Sequence, residues 1–309
     1  EPDYGLLIRP DMNYQITHAL AHTYARERLV VAKDALARLA GHYNEFSREQ
    51  VEQGLKGYAR LDAQRDHILA VQSACNNSGL WKEARSIVRV LRDYLDLQGH
   101  WLERIALVQS GLQAARSDGT RYDEASFLNT LGQTYSNLGE PRKAIEFYEQ
   151  ALAIAKEIGY RRGEGGVLGN LGQTYSDLGE PRKAIEFYEQ ALAIAREFKD
   201  REIKDKKREG IWLGNLGIVH SDLGEPRQAI GFYQQALAIA KEIGDRRSEG
   251  NALGNLGLEY YHLGEKRKAI EFDEQALAIA KEIGDKKNEG TWLGNLGIVH
   301  SDLGEPRQA

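Results

Sequence analysis

From residue 121 onward, apolar residues recur at alternating steps of three and four, break, and begin again, five times over. In the second of these blocks Leu168, Leu171, Tyr175 and Leu178 fall on one face, and Ala184, Ile185, Tyr188, Ala191, Leu192 and Ala195 fall on another. An α-helix brings residues three and four apart onto one side, so each block predicts two amphipathic helices. Between them runs Leu178-Gly179-Glu180-Pro181-Arg182. The glycine suits the left-handed residue that ends one helix, and the proline suits the first turn of the next. Pro141, Pro181, Pro226 and Pro306 all occupy this slot, and Lys266 replaces it once. The predicted fold is all-α, a right-handed superhelical solenoid of helix-turn-helix repeats.

The repeat is nearly a copy. Leu-Gly pairs at Leu131, Leu171, Leu216, Leu256 and Leu296 are spaced 40, 45, 40 and 40 residues apart. Residues 131–155 and 171–195 differ only at Asn137 and Asp177, and residues 212–229 recur unchanged as 292–309. Glycine inside a helix costs about 1 kcal/mol relative to alanine, yet Gly132, Gly172, Gly217 and Gly257 sit in helix interiors. The expected compensation is close backbone approach against Ala144, Ala184, Ala229 and Ala269. The 45-residue interval carries a charged insert from Lys199 to Arg208, read as a solvated helix extension or loop in preference to a docking site for an acidic partner.

Residues 1–120 read as helical without clean repetition. Ser47-Arg48-Glu49-Gln50 matches a capping box opening a helix. Further helices are predicted over 60–77, 80–98 and 100–117, punctuated by Gly79, Gly99 and Gly119. Two repeat phases are open: Ala84 fills the small slot if Gly79 marks the turn, and Gly111 fills it if Gly99 does, which places Arg92 and Arg104 where small residues belong. The expected domains are a helical segment at 1–46, degenerate repeats at 47–120, and an array at 121–309 of four full repeats and a truncated fifth.

Composition narrows the partners. Apolar residues make up 41% and charged residues 28%, and no apolar run approaches the roughly 18 residues that span a bilayer. A net charge of −5 without a basic stripe argues against nucleic acid. A single cysteine, Cys75, and no signal-peptide pattern predict a cytoplasmic setting. The chain begins at Glu1 and stops inside a repeat, which reads as a piece of a longer protein.

The residues Leu171, Gly172, Tyr175, Ala184, Tyr188 and Ala191, repeated in register, resemble the tetratricopeptide repeat, and the 40-residue spacing resembles its kinesin-light-chain-like branch. His220 and His300 stand at the tyrosine position and Asp273 at the aromatic one. The resemblance implies a scaffold that binds a protein or peptide on its concave face. In peptide-binding members an asparagine before the leucine-glycine pair bonds the ligand backbone. Here that position is Asn170, Asn215, Asn255 and Asn295, with Gln133, Gln173, Ser136, Ser176, Asp177, Asp222 and Asp302 as neighbouring groove candidates; the alternative is that the asparagines knit adjacent repeats together. The truncated end implies self-association.

Farther upstream, Tyr14-Gln15-Ile16-Thr17-His18-Ala19-Leu20 and Tyr24-Ala25-Arg26-Glu27-Arg28-Leu29 resemble the end of the winged-helix segment in STAND signal-transduction ATPases of the NB-ARC type. Leu61 to Ile68 and Gly99-His100-Trp101 are similar to their helical linker. That resemblance implies the ligand-sensing arm of a larger ATPase, without the phosphate-binding loop, so no ATPase activity is expected here.

Catalytic chemistry finds no constellation. His18 and His22 lack a third metal ligand, Cys75 lacks an activating neighbour, and His220 and His300 read as packing residues. No enzyme, metal or cofactor is expected. Two other readings stand beside the scaffold: a small-molecule sensor with a pocket near Trp81, Trp101 and Tyr122, and a structural spacer without a ligand.

Overall fold

A computed structural model describes residues 7–8, 15–16, 33–198 and 203–305. His18, His22, Tyr24 to Leu29, Lys199 and Pro306 lie outside the described residues. β1 (Leu7–Ile8) and β2 (Gln15–Ile16) pair antiparallel, Leu7 opposite Ile16, a ladder the hydrophobic pattern did not predict. All other described elements are α-helices, none long and apolar enough to cross a membrane. The chain divides into two compact units, Glu1–His100 and Trp101–Ala309.

In the first unit α1 (Lys33–Glu52), α2 (Leu55–Asn77) and α3 (Trp81–Leu97) each pack on the other two. Leu36, Ala40, Leu61, Ile68, Ile87, Leu91 and Leu95 form the core. The expected capping box is corrected: Ser47 to Gln50 lie inside α1, and the Ser47 hydroxyl is buried without a partner. The helix starts well before it, and the chain turns at Gly54, whose φ is 60°. Cys75 is fully buried, and burial, reinforced by Glu83, pushes its thiol up to about 11. It is a packed, unreactive side chain.

The second unit comprises α4 (Trp101–Ser117), α5 (Arg121–Asn137), α6 (Pro141–Glu157), α7 (Arg161–Asp177), α8 (Pro181–Glu197), α9 (Ile203–Asp222), α10 (Pro226–Ile243), α11 (Arg246–His262), α12 (Lys266–Glu282) and α13 (Lys286–Asp302). The punctuation is as predicted. Gly139, Gly179, Gly224 and Gly264 have φ between 72° and 76°, and proline opens α6, α8 and α10. The first helices α5, α7, α9 and α11 form one row, each touching the next and α11 touching α13, whereas the second helices are held apart.

The open question of phase resolves at α4. Arg116 Nε lies 2.8 Å from Glu124 of α5, just as Arg196 at the end of α8 lies 2.9 Å from Glu209 of α9. So α4 stands against α5 as a second helix stands against the next repeat, with Gly111 in the small slot. Arg104 takes the other small slot, 2% exposed, and donates to Thr134 Oγ1 at 2.9 Å.

The glycine expectation needs a correction. Ala144, Ala184, Ala229 and Ala269 are fully buried, but what fills the space over Gly132, Gly172 and Gly217 is the tyrosine ring of the second helix, and over Gly257 the carboxyl of Asp273. A Cβ on Gly172 would fall 2.8 Å from two Tyr188 ring carbons, and one on Gly132 would fall 2.5 Å from Tyr148. Beside it the Tyr175–Phe187 stack, centroids 5.3 Å apart, recurs as Tyr135–Phe147, Tyr260–Phe272 and, with imidazole for phenol, His220–Phe232 at 5.1 Å. His220 packs, as expected of that position.

Each repeat is clasped at its open end. Arg161, at the start of α7, reaches Glu164 one turn on and Glu197 at the end of α8, both at 2.5 Å. Arg246 holds Glu249 and Glu282 in the same way, and Arg121 holds Glu124 and Glu157. The insert joins this scheme: Lys206 pairs with Glu242 at 2.5 Å, Lys207 with Asp245 at 2.9 Å, and Asp205 with Arg162 at 3.0 Å. Its described part, Ile203 to Arg208, is a helix extension whose charges are used within the array.

Candidate functional site

The row of first helices presents the predicted polar residues on one side, at steps of three and four. Asn170, Asn215, Asn255, Asn295, Gln133, Ser136 and Ser176 are half-buried there, and Gln173, Asp177, Asp222 and Asp302 are exposed. The structure brings several together. Asn170 donates to Asn129 Oδ1 of the preceding repeat at 2.9 Å. Asn215 donates to Tyr188 Oη at 3.1 Å and to Gln173 Oε1 at 3.3 Å, while Gln173 donates to Asp177 at 2.8 Å. Asp302 accepts from Tyr261 at 2.9 Å. Asn170 and Asn215 therefore knit adjacent repeats, yet a carboxamide has two N–H groups and two lone pairs. Each keeps capacity for a further bond.

Near-identity of the repeats conceals one difference. Trp212 of α9 lies over Gly169 of α7, and Trp292 of α13 lies over Gly254 of α11, so closely that a methyl on either glycine would enter the indole. Each tryptophan plugs the cleft between successive first helices. The corresponding residue of α11 is Ala252, and a methyl on its partner Gly214 would meet nothing within 4 Å. The cleft stays open as a cavity of about 250 Å³. Tyr233, Ala236, Ile239 and Ala240 of α10 line it with apolar surface, Ile211 and Ile218 flank it, and Asn215, Asn251 and Asn255 supply amides. The Lys207–Asp245 pair borders it. Sequence reasoning passed over this site. The signal was Ala252 standing where otherwise matching copies carry Trp212 and Trp292.

A second departure is Asp273, at the α12 position held by Tyr148, Tyr188 and Tyr233 in the other second helices. It is 1% exposed, and Oδ1 has no hydrogen-bond partner. Burial, opposed by a bond from the Asn295 amide, pushes its carboxyl up to about 7. Among the described residues no group of three His, Cys, Asp or Glu could hold a metal.

The tetratricopeptide repeat family model matches residues 94–157, 123–197 and 208–282, more than half of the chain. The chain belongs to the tetratricopeptide repeat family. No curated protein matches its sequence. Solved structures match the fold at low identity. Aspartyl phosphate phosphatase F of Bacillus subtilis superposes with a TM-score of 0.65 at 15% identity, covering 90% of this chain and 82% of that one. A STAND signal-transduction ATPase with a tetratricopeptide repeat sensor, from Pyrococcus horikoshii, gives 0.63 at 16%, covering 96% of this chain and 47% of that one. A Podospora anserina protein of nearly identical TPR-like repeats, assigned to the kinesin light chains, gives 0.52 at 18%, over 67% and 98%. These likenesses establish a tetratricopeptide solenoid.

Proposed function

We propose that this tetratricopeptide array binds an extended peptide segment of a partner protein along its concave row of first helices, with one apolar side chain anchored in the cleft at Ala252. The observation that carries this reading is the cleft itself. It combines about 250 Å³ of apolar-floored space with Asn215, Asn251 and Asn255 at its walls. A pocket for a single side chain needs apolar depth, and an extended backbone needs groups that both donate and accept. Ala252→Trp rebuilds the plug that Trp212 and Trp292 provide elsewhere, without touching an asparagine. Selection from a random peptide library on the unaltered chain is expected to enrich sequences with a fixed aliphatic or aromatic position that Ala252→Trp no longer retains. Equal retention by both proteins, or no enrichment, overturns the reading.

We further infer that the chain is the ligand-sensing arm of a larger STAND-type ATPase. Support comes from the motifs upstream of residue 30 and from the match of 96% of this chain to less than half of an ATPase with a repeat sensor. Sequencing the gene upstream of the codon for Glu1 tests it. A glycine-rich lysine-serine or lysine-threonine phosphate loop in the same reading frame is expected, and a reading frame without one refutes the assignment.

A further inference from the structure

Tyr148, Tyr188 and Tyr233 cover their glycines with a ring, whereas Asp273 covers Gly257 with a carboxyl, Oδ1 2.5 Å from where a Cβ would stand, that ends short of the space a ring would reach. The shortfall leaves a cavity of about 40 Å³, lined by Leu258 and Tyr261 of α11, Asp273 of α12, and Asn295, Ile298 and Val299 of α13. Its chemistry is specific. At the bottom sits the Asp273 carboxylate with Oδ1 unpartnered, beside the Asn295 amide. Leu258 and Ile298, 39% and 55% exposed, flank the opening. Tyr261 stands beside them with its hydroxyl given to Asp302, and Lys266 Nζ, 3.7 Å from Asp302, is directed there.

An uncompensated buried carboxylate is costly, and a cation that reaches it removes the cost. Size and chemistry together select which cation. By the same measure about 10–15 Å³ holds a water, so a space of about 40 Å³ admits a primary ammonium head. Its three N–H donors can bond the unpartnered oxygen, which a quaternary ammonium cannot do. The rim fits the rest of a lysine, whose methylene stem covers apolar surface while its head seeks a polar partner.

We propose that the niche between Leu258, Asp273 and Ile298 is a lysine site, taking the side-chain ammonium of a lysine in the bound peptide. This rests on the peptide-binding reading, and it adds a fixed charge requirement one repeat beyond the apolar anchor at Ala252. The cleft and the niche together specify an apolar residue and a lysine in one ligand.

The test uses n-butylammonium, which reproduces the lysine side chain without a peptide, so its outcome is independent of the library selection. Carbon-13 NMR of aspartate-labelled protein follows the Asp273 carboxyl through its titration. The facing groups to be tracked alongside it are Tyr261 and Asp302, with Lys266 behind Asp302. Saturating n-butylammonium is expected to lower the Asp273 midpoint by about one pH unit or more, the effect of an opposite charge in contact. Tetramethylammonium at the same ionic strength is expected to leave it unmoved. At pH 8 the same amine is expected to raise the melting temperature of the unaltered chain and not that of Asp273→Asn. An unmoved midpoint, an equal shift with tetramethylammonium, or an equal melting response in Asp273→Asn each overturns the proposal and leaves water as the occupant.

Discussion

Gly169 and Gly214 occupy the same position of successive first helices, and the structure predicts opposite outcomes when each becomes alanine. Alanine in a helix interior gains about 0.5–1 kcal/mol over glycine. At Gly214 nothing opposes that gain, since the added methyl meets no atom within 4 Å. At Gly169 the methyl would lie 2.8 Å from Cε2 of Trp212, a ring that is 8% exposed and packed in a core with Leu168, Ile194 and Leu213. The indole must move, and forcing a methyl into a packed core costs about 1–3 kcal/mol. Gly214→Ala should therefore stabilise by about 0.5–1 kcal/mol, and Gly169→Ala should destabilise by up to about 2 kcal/mol after the helix gain is subtracted. Urea unfolding followed by circular dichroism reads the two shifts. Hydrogen exchange localises them, because a solenoid need not unfold as one unit. In the Ala252→Trp background the sign at Gly214 should reverse, since a tryptophan now covers it. If both glycines respond in the same direction, or if Ala252→Trp leaves the response at Gly214 unchanged, the account of plugged and open clefts is wrong.

Two further outcomes follow from charge. Asp273 has a folded value of about 7 against an ordinary 3.8, so the folded state holds its proton more tightly than the unfolded chain. Its contribution is most favourable below about pH 3.8 and declines as pH rises towards 7. The loss is about 2–4 kcal/mol, the lower figure allowing for solvent screening at the open mouth. Denaturant midpoints across pH 4–8 should show this decline in the unaltered chain and a flatter profile in Asp273→Asn; parallel profiles would refute it. Arg161→Ala removes the clasp on the buried Glu164 and the exposed Glu197. A lower urea midpoint is expected, with a smaller deficit in 1 M salt because the exposed half of the pair is screened. An unchanged midpoint at low salt would count against the clasp.

Much of the architecture was legible because the repeat states it many times. Three-and-four spacing gave the helix pairs, and Gly179 with Pro181 gave the turn between them. The site was less legible for two physical reasons. A pattern of apolar positions records that a residue is buried but not against what, so the interior glycines were paired with Ala184 when the space belonged to Tyr188. A site made by a missing side chain is also hard to read forward: Ala252 looks like an ordinary small core residue until its partner Gly214 is found uncovered. Asp273 was visible as a departure, but its isolation from any cation emerges only from three helices meeting around it. The capping-box motif at Ser47 misled because a local pattern competes with the continuous helix around it, and there the helix prevailed.

Near-perfect duplication carries a hazard of its own. A ligand recognised only by the row of asparagines could shift by one repeat and find almost the same contacts, so the array would hold it without knowing where it sits. The open cleft at Ala252 breaks that translational symmetry. A side chain seated there fixes the alignment of everything on either side of it, as one notch sets the zero of an otherwise uniform ruler. On the proposed peptide binding, the exchange of one large residue for one small one would turn a set of interchangeable copies into a measuring device with an origin.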